Sequence, residues 1–274
     1  MKRLTGTRTI VVMILATIFG LVVTFPIYYM VAGSFFSIRE FSSFPPTIVP
    51  STIRLHNFQR AINESPLIRF MLNSLISASV GAILRIAIAT LSAFAFVYKE
   101  FKAKKLLFIV ILATMLLPAD ALILENYILI SRLGLIDTYL GIISIHLLAP
   151  VQMFMLRQIF KSIPITYREA ASIDGCGDVR FLIRIVTPMS RSIMLIFLLQ
   201  SFVTIWNSYL WPLLVTNDTT MRTVQVGITL LSYAENLDFG PVFAAISLVV
   251  LPSILLFLVF RKRIVEGVVS GSLG

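Results

Sequence analysis

Few residues in this chain are able to do chemistry, and their spacing narrows what that chemistry is. The 274 residues include two histidines, His56 and His146, and one cysteine, Cys176. No H-E-x-x-H places two imidazoles on one helix face for zinc, and a lone thiol excludes an intrachain disulfide. No metal-ligating set can be assembled from these spacings, and no catalytic residue is assigned: spacing leaves open a serine–histidine pair at His146, but a lone histidine in an apolar run is more often a helix-packing residue. The loop G-x-x-x-x-G-K-[ST], whose amides cradle nucleotide phosphates, is absent from the sequence as well, so no cofactor is expected in this chain. What remains is polarity set into apolar surroundings. Asp120, Glu125 and Asn126 fall in one greasy run, and Gln200, Thr204 and Asn207 fall in another at helical spacing. Arg85 sits deep in a third. An ionisable group in hydrocarbon costs several kcal/mol unless it faces protein or water. The first three therefore face either a cavity or the outer interface, and the second three line a bundle interior or a path for a polar solute.

The elements that must hold these groups follow from composition. With 58% hydrophobic and only 13% charged residues, the chain reads as an integral membrane protein. Runs near 10–36, 68–98, 106–130, 139–156, 192–215 and 242–260 each supply about the 20 residues that an α-helix needs to cross a bilayer. The expected fold is an all-α membrane protein, a six-transmembrane-helix bundle forming a single domain over 1–274. The first run, from Thr9 past Tyr29, is too long for a signal-peptide core of about 7–15 residues. In the second, Ser74, Ala78 and Ala82, then Ala89 and Ala93, form stripes of small residues that let helices approach closely in lipid.

The formal charge of +10 does not point to nucleic acid, because its placement follows the positive-inside rule. Sixteen lysines and arginines lie in the two tails and in the segments joining runs 2 to 3 and 4 to 5, against five in the other loops. The N and C termini are therefore expected in the cytoplasm. Outer loops are then expected at about 37–67 and 216–240, facing away from it.

The segment at about 161–190 falls on the cytoplasmic side and contains REAASIDGCGDVRFLIRIVTP, residues 168–188. Thr166 and Glu169 match a capping box that would start a short helix, and Gly175 or Gly177 can stop it. Asp178 can cap a second helix running toward Pro188. Three roles fit such a segment: a solvated connector, an interfacial amphipathic helix, or a docking element whose small residues permit close approach and whose charges anchor a partner.

Glu169, Ala170 and Ala171, then Gly175, Ile185 and Pro188, match the signature E-A-A-x3-G-x9-I-x-L-P, with Thr187 the single departure. The segment thus resembles the EAA loop of ABC importer permeases. Asp174-Gly175 and RFLIRIVTP, with ATMLLPADALILENYILISRLGLIDTYLGII, WNSYLWPLLV and the tail RKRIVEGVVSGSLG, resemble the carbohydrate-uptake branch with its maltose-type and glycerol-3-phosphate-type permeases. Glu125 stands where relatives usually have proline, which implies a straighter and more acidic third run. The resemblance implies a multi-pass permease in the cytoplasmic (inner) membrane of a bacterium or archaeon. Its coupling helix, with Glu169 as the charged contact, would dock in an ATP-binding-cassette ATPase dimer that binds the ATP and Mg²⁺. A second homologous permease subunit and an extracytoplasmic solute-binding protein would complete the importer. Residues 216–240 would reach toward that binding protein, and the tail after Arg263 would lie near the ATPase interface. An ion-coupled secondary transporter and an intramembrane enzyme are the competing classes. The first would usually show two similar halves, and the second would need a catalytic set beyond His146.

Overall fold

The computed structural model describes the backbone of residues 6–234 and 239–271 and the side chains of 9–118, 121–230 and 239–261. All regular elements among these residues are helical. In chain order they are α1 (Gly6–Gly33), α2 (Ile38–Phe41), α3 (His56–Asn63), α4 (Leu67–Tyr98), α5 (Lys104–Ala113), α6 (Ile123–Arg132), α7 (Tyr139–Ser144), α8 (Pro150–Ser162), α9 (Ile165–Ile173), α10 (Asp178–Phe181), α11 (Thr187–Met189), α12 (Arg191–Trp206), α13 (Leu210–Val215), α14 (Val224–Ala234) and α15 (Phe239–Gly271). Leu182–Val186, between α10 and α11, is a π turn.

Three described helices are long and apolar enough to cross a membrane: Thr9–Gly33 within α1, α4, and Phe239–Arg261 within α15. A fourth span arises if Asp178–Met189 and Arg191–Trp206, bent by 86°, count as one. The apolar runs 3, 4 and 5 are thus interrupted, and proline chemistry accounts for two of the breaks. Leu117 is extended before Pro118, and α8 starts with Pro150 in its first turn. Proline lacks an N–H and pushes the preceding residue out of the helical region. The third run is divided at Pro118, and α6 beyond it is continuous through Glu125.

The chain divides into two compact units, Met1–Ile68 with Gly227–Pro252, and Arg69–Val226 with Ser253–Gly274. In the first, Asn57 of α3 is buried and donates from Nδ2 to the carbonyls of Ser34 (2.9 Å) and Phe36 (2.8 Å). It packs against Gly240, where a Cβ would stand 2.6 Å from that Nδ2. Glu40 ties the following loop together: Oε2 accepts from the N–H and hydroxyl of Ser37 (both 2.7 Å), and Oε1 from the N–H (2.8 Å) and hydroxyl (2.7 Å) of Ser51. These bonds, those of Ser37 foremost, lower its pKa from the ordinary 4.5 to about 2. A depressed folded-state pKa means that this contribution is complete above pH 4.5 and is lost as pH falls through 2. Hydrogen-exchange protection at Ser51 is accordingly expected to persist at pH 5 and to decline between about pH 4 and 2, whereas Glu40→Gln would flatten that dependence.

In the second unit the small-residue stripe of α4 is buried as expected, with Ser74, Ala78, Ala82, Ala89 and Ala93 all in the interior. Gly81 continues that face: a Cβ there would lie 2.8 Å from the Ile205 side chain of α12 and 3.3 Å from Ile143 of α7. An extended apolar cluster joins Ala89, Ala93, Phe94 and Phe96 of α4 to Met153, Leu156 and Phe160 of α8, Ala171 of α9, Phe181, Leu182 and Val186 beyond the elbow, and Phe197 of α12. Burial of these side chains stabilises the unit at roughly 25 cal/mol per Å² of apolar surface removed from water.

Candidate functional site

The segment singled out by its polarity is rooted in this cluster. Helix α9 begins with Pro164 at its N-cap, so the capping box expected at Thr166 does not form. The reason is local. Proline is well suited to a helix start, because its missing N–H is one that the first turn would leave unpaired anyway. Thr166 is thereby placed inside the first turn.

Its other end is a Schellman stop: the Gly175 N–H donates to Ser172 O (3.1 Å) and the Cys176 N–H to Ala171 O (2.8 Å), with Gly175 at φ +69°. A Cβ on Gly175 would meet nothing within 4 Å, so only the left-handed backbone requires glycine there. Gly175→Val is expected to lower stability by about 1–2 kcal/mol through backbone strain alone. Hydrogen exchange should localise the loss to 170–178, and an unchanged exchange pattern would contradict this account.

Gly177 rather than Asp178 caps α10. The Asp178 carboxylate instead accepts from Lys99 Nζ just beyond α4 and from Arg168 Nη2 of α9 at 2.6 Å. The hydrogen bond from Lys99, followed by the charges of Lys99 and Arg168, holds its carboxyl below the ordinary carboxylate range. Arg168 also lies over the Phe181 ring, 5.0 Å from its centroid, and Phe181 meets Tyr98 edge-on at 5.3 Å. The Tyr98 hydroxyl donates to Phe160 O at 3.1 Å. One carboxylate and one aromatic ring therefore bind the elbow to α4 and α8.

The opposite side of the segment is open. Glu169, Ala170, Asp174, Gly175 and Pro188 are exposed, Ile185 is half-buried and Ala171 is buried. The same segment leaves large apolar side chains uncovered, Ile173 at 88% exposure and Val179 at 71%, with Ile165, Tyr167 and Ile183. The Glu169 carboxylate makes no hydrogen bond or ion pair with any described residue. A helix fixed in the bundle through Ala171, with apolar and acidic side chains exposed, fits a docking element better than a solvated connector.

The polar residues of the apolar runs are only partly gathered. Gln200 and Thr204, one turn apart on α12, line a groove of about 320 Å³ with Val203, Ser253, Leu256 and Phe257. Asn207 caps α12 and accepts from Gln225 Nε2 at 3.3 Å. Glu125 and Asn126 lie in the first turn of α6 and do not line that groove. The side chain of Asp120 lies outside the described residues. Arg85 has its Nε buried without a hydrogen-bond partner among the described residues, as does His146 Nε2, which lies within its electrostatic reach.

Two polar sets escape a reading of spacing. Buried Gln152 of α8 donates from Nε2 to Ser201 Oγ of α12 at 3.0 Å. Buried Asn73 of α4 donates to the carbonyls of Thr220 (2.8 Å) and Arg222 (2.9 Å) and accepts from the Tyr139 hydroxyl (2.8 Å). The only local signal for either is an amide in an apolar run. Asn73, with Ser74 Oγ accepting from the Val224 N–H at 2.9 Å, staples the loop 216–224 to α4.

Comparison with known proteins adds relatives to this geometry. The family profile described as "Binding-protein-dependent transport system inner membrane component" matches residues 85–268. The chain is 33% identical over 259 residues to the sn-glycerol-3-phosphate transport system permease protein UgpE of Rhizobium meliloti (strain 1021), covering 91% of this chain and 92% of that one. The protein of the same name from Escherichia coli O1:K1 / APEC is 31% identical over 257 residues with the same coverage. In fold, the chain resembles a solved chain of a bacterial ABC transporter involved in the import of the acidic polysaccharide alginate, with a TM-score of 0.84 at 19% identity over 96% of this chain and 99% of that one.

Proposed function

The chain belongs to the family of inner membrane components of binding-protein-dependent transport systems, as a permease subunit of an ABC importer, and on that premise we propose how its parts act and what it carries. The whole chain, 1–274, forms one six-span transmembrane domain in the bacterial cytoplasmic membrane, its interrupted runs included and both termini in the cytoplasm. Helix α9 is the coupling helix, with Glu169, Ala170, Asp174 and Gly175 in or beside the ATPase cleft, Ala171 and Ile185 supporting it from behind, and the exposed Pro188 closing the motif. The observation that carries this reading is the two-sided build of α9 to α11, which is anchored in the bundle through Ala171 and Phe181 and open around Glu169.

ATP and Mg²⁺ are bound by a partner ATPase dimer, and this chain contributes no catalytic residue to hydrolysis. Coupling requires that α9 make different contacts in two states of the bundle, inward-facing and outward-facing. A second permease subunit completes the pathway and a solute-binding protein delivers to its outer face. Gln200 and Thr204, with Asn207 one turn further, form this chain's polar side of the pathway.

The solute is a phosphate ester of a small polyol. The relatives named for sn-glycerol-3-phosphate support that class, and a neutral sugar or oligosaccharide is the competing outcome. Two measurements test the proposal. Purification should yield this chain with a second permease and an ATPase dimer, and transport by the isolated chain on an ion gradient would overturn it. Calorimetry on the cognate binding protein with a panel of polyol phosphates and neutral sugars decides the solute class.

A further inference from the structure

The arginines of residues 37–67 stand on the side that the positive-inside rule depletes of them. Five arginines fall in the outer loops, and three of these, Arg39, Arg54 and Arg60, converge with His56 on one concave cavity of about 810 Å³ in the first unit. Small-ligand pockets typically span about 300–1,000 Å³.

The cavity is built rather than incidental. Its wall is fixed by the Asn57 hydrogen bonds to Ser34 and Phe36, and the adjoining loop by the four hydrogen bonds of Glu40. Those bonds turn the Glu40 carboxylate onto Ser37 and Ser51, so the acid next to Arg39 in sequence is already engaged. Arg54 Nε donates to Thr52 Oγ1 at 3.0 Å, and Arg60 Nε donates to both oxygens of Glu64 at 3.1 Å. Arg39 makes no hydrogen bond or ion pair with any described residue. The ionised Glu40 and Glu64 together offset two of the three guanidinium charges, and neither Arg39 nor Arg54 is paired with a described carboxylate.

We propose that this basic cup is a reception site for the phosphate group of the solute, entered before the transmembrane pathway. The proposal rests on the phosphate-ester reading and on the orientation given above. Guanidinium groups recognise phosphate through paired N–H donors, and a concave basic surface raises the local concentration of an anion. A flat basic face would suit an acidic protein surface better; a cup of this volume suits a small anion.

The experiment titrates the full chain in lipid nanodiscs with inorganic phosphate and with sn-glycerol 3-phosphate, with glycerol as the uncharged control. Both phosphate probes should bind, glycerol should not, and affinity should fall as salt rises. Replacing Arg39 and Arg54 together by glutamine should weaken phosphate binding at least tenfold. Both side chains are exposed, so a retained circular dichroism spectrum and elution profile are expected. Absence of phosphate binding, or binding that the double substitution leaves unchanged, would overturn the proposal. A loss of docking by the solute-free binding protein, with phosphate binding intact, would overturn it too and assign the cup to an acidic partner surface. If the binding-protein panel selects a neutral sugar while the cup still takes phosphate, the solute reading fails and takes with it the cup's role in receiving solute, leaving an anion site; the reverse pattern sinks the cup alone.

Discussion

Replacing Glu169 by alanine is expected to lower solute-stimulated ATP hydrolysis of the reconstituted importer at least tenfold, while the variant chain inserts and purifies as the parent does. Folding should be insensitive, because the carboxylate is exposed and bonded to no described residue, and surface substitutions of that kind typically change stability by less than about 0.5 kcal/mol. Coupling should be sensitive, because removing one partner of a charge pair desolvated at an interface costs about 2–5 kcal/mol, and about 1.4 kcal/mol is a factor of ten in affinity. The measurement is ATPase activity in proteoliposomes with and without loaded binding protein, alongside co-purification of the ATPase. Full stimulation by the variant would remove α9 from the coupling path. Glu169→Gln should recover only part of the loss, since it keeps shape and hydrogen bonding without charge.

The largest structural effect is expected at Gly141, in the first turn of α7. A Cβ there would stand 2.1 Å from the backbone oxygen of Leu135 and 3.4 Å from Thr138 Oγ1. No flexible side-chain end absorbs that overlap. The Leu135 carbonyl also accepts from Thr138 Oγ1 at 2.8 Å, and that same Oγ1 accepts from the Gly141 N–H at 3.0 Å. The Gly141 carbonyl accepts from Trp211 Nε1 at 3.0 Å, and Trp211 belongs to the apolar cluster with Ile130, Ile142 and Val215. Gly141→Ala must move either the turn or the helix, and forced overpacking of this kind costs about 3 kcal/mol. Loss of monodisperse protein on heating in detergent reads the effect. Gly20→Ala serves as the comparison, because a Cβ there meets nothing within 4 Å. Equal heat resistance of the two variants would contradict the packing described.

Apolar run length located the three uninterrupted spans because hydrocarbon thickness sets a length that sequence displays directly. The interruptions at Pro118 and Pro150 were visible as letters, yet run length alone does not register them. The elbow at Gly175 was legible from its motif and from glycine's tolerance of positive φ. The helix start was misread because a hydroxyl at Thr166 with Glu169 three residues on mimics a cap, while Pro164 two residues earlier fills the position. Asp178 was taken for a cap for the same reason: local spacing suggests a local partner, and its partner Lys99 lies 79 positions away. Asn73 and Thr220 are separated by 147 positions, beyond any periodicity argument. Of the polar residues of run 5, Gln200 and Thr204 share a groove as helical spacing suggested, while Asn207 caps α12 and Glu125 and Asn126 lie on α6, a separation that spacing does not contain.

Asp178 also changes how force would travel through this protein. A helix attached only by a glycine hinge is a tether, and a pull on it is spent in the hinge. The carboxylate shared by Lys99 and Arg168 acts as a strut across that hinge, converting the tether into a rigid crank. On the proposed coupling role, displacement of α9 would reach the end of α4 through Lys99 as well as α12 through the 86° corner, so one small motion would have two outputs.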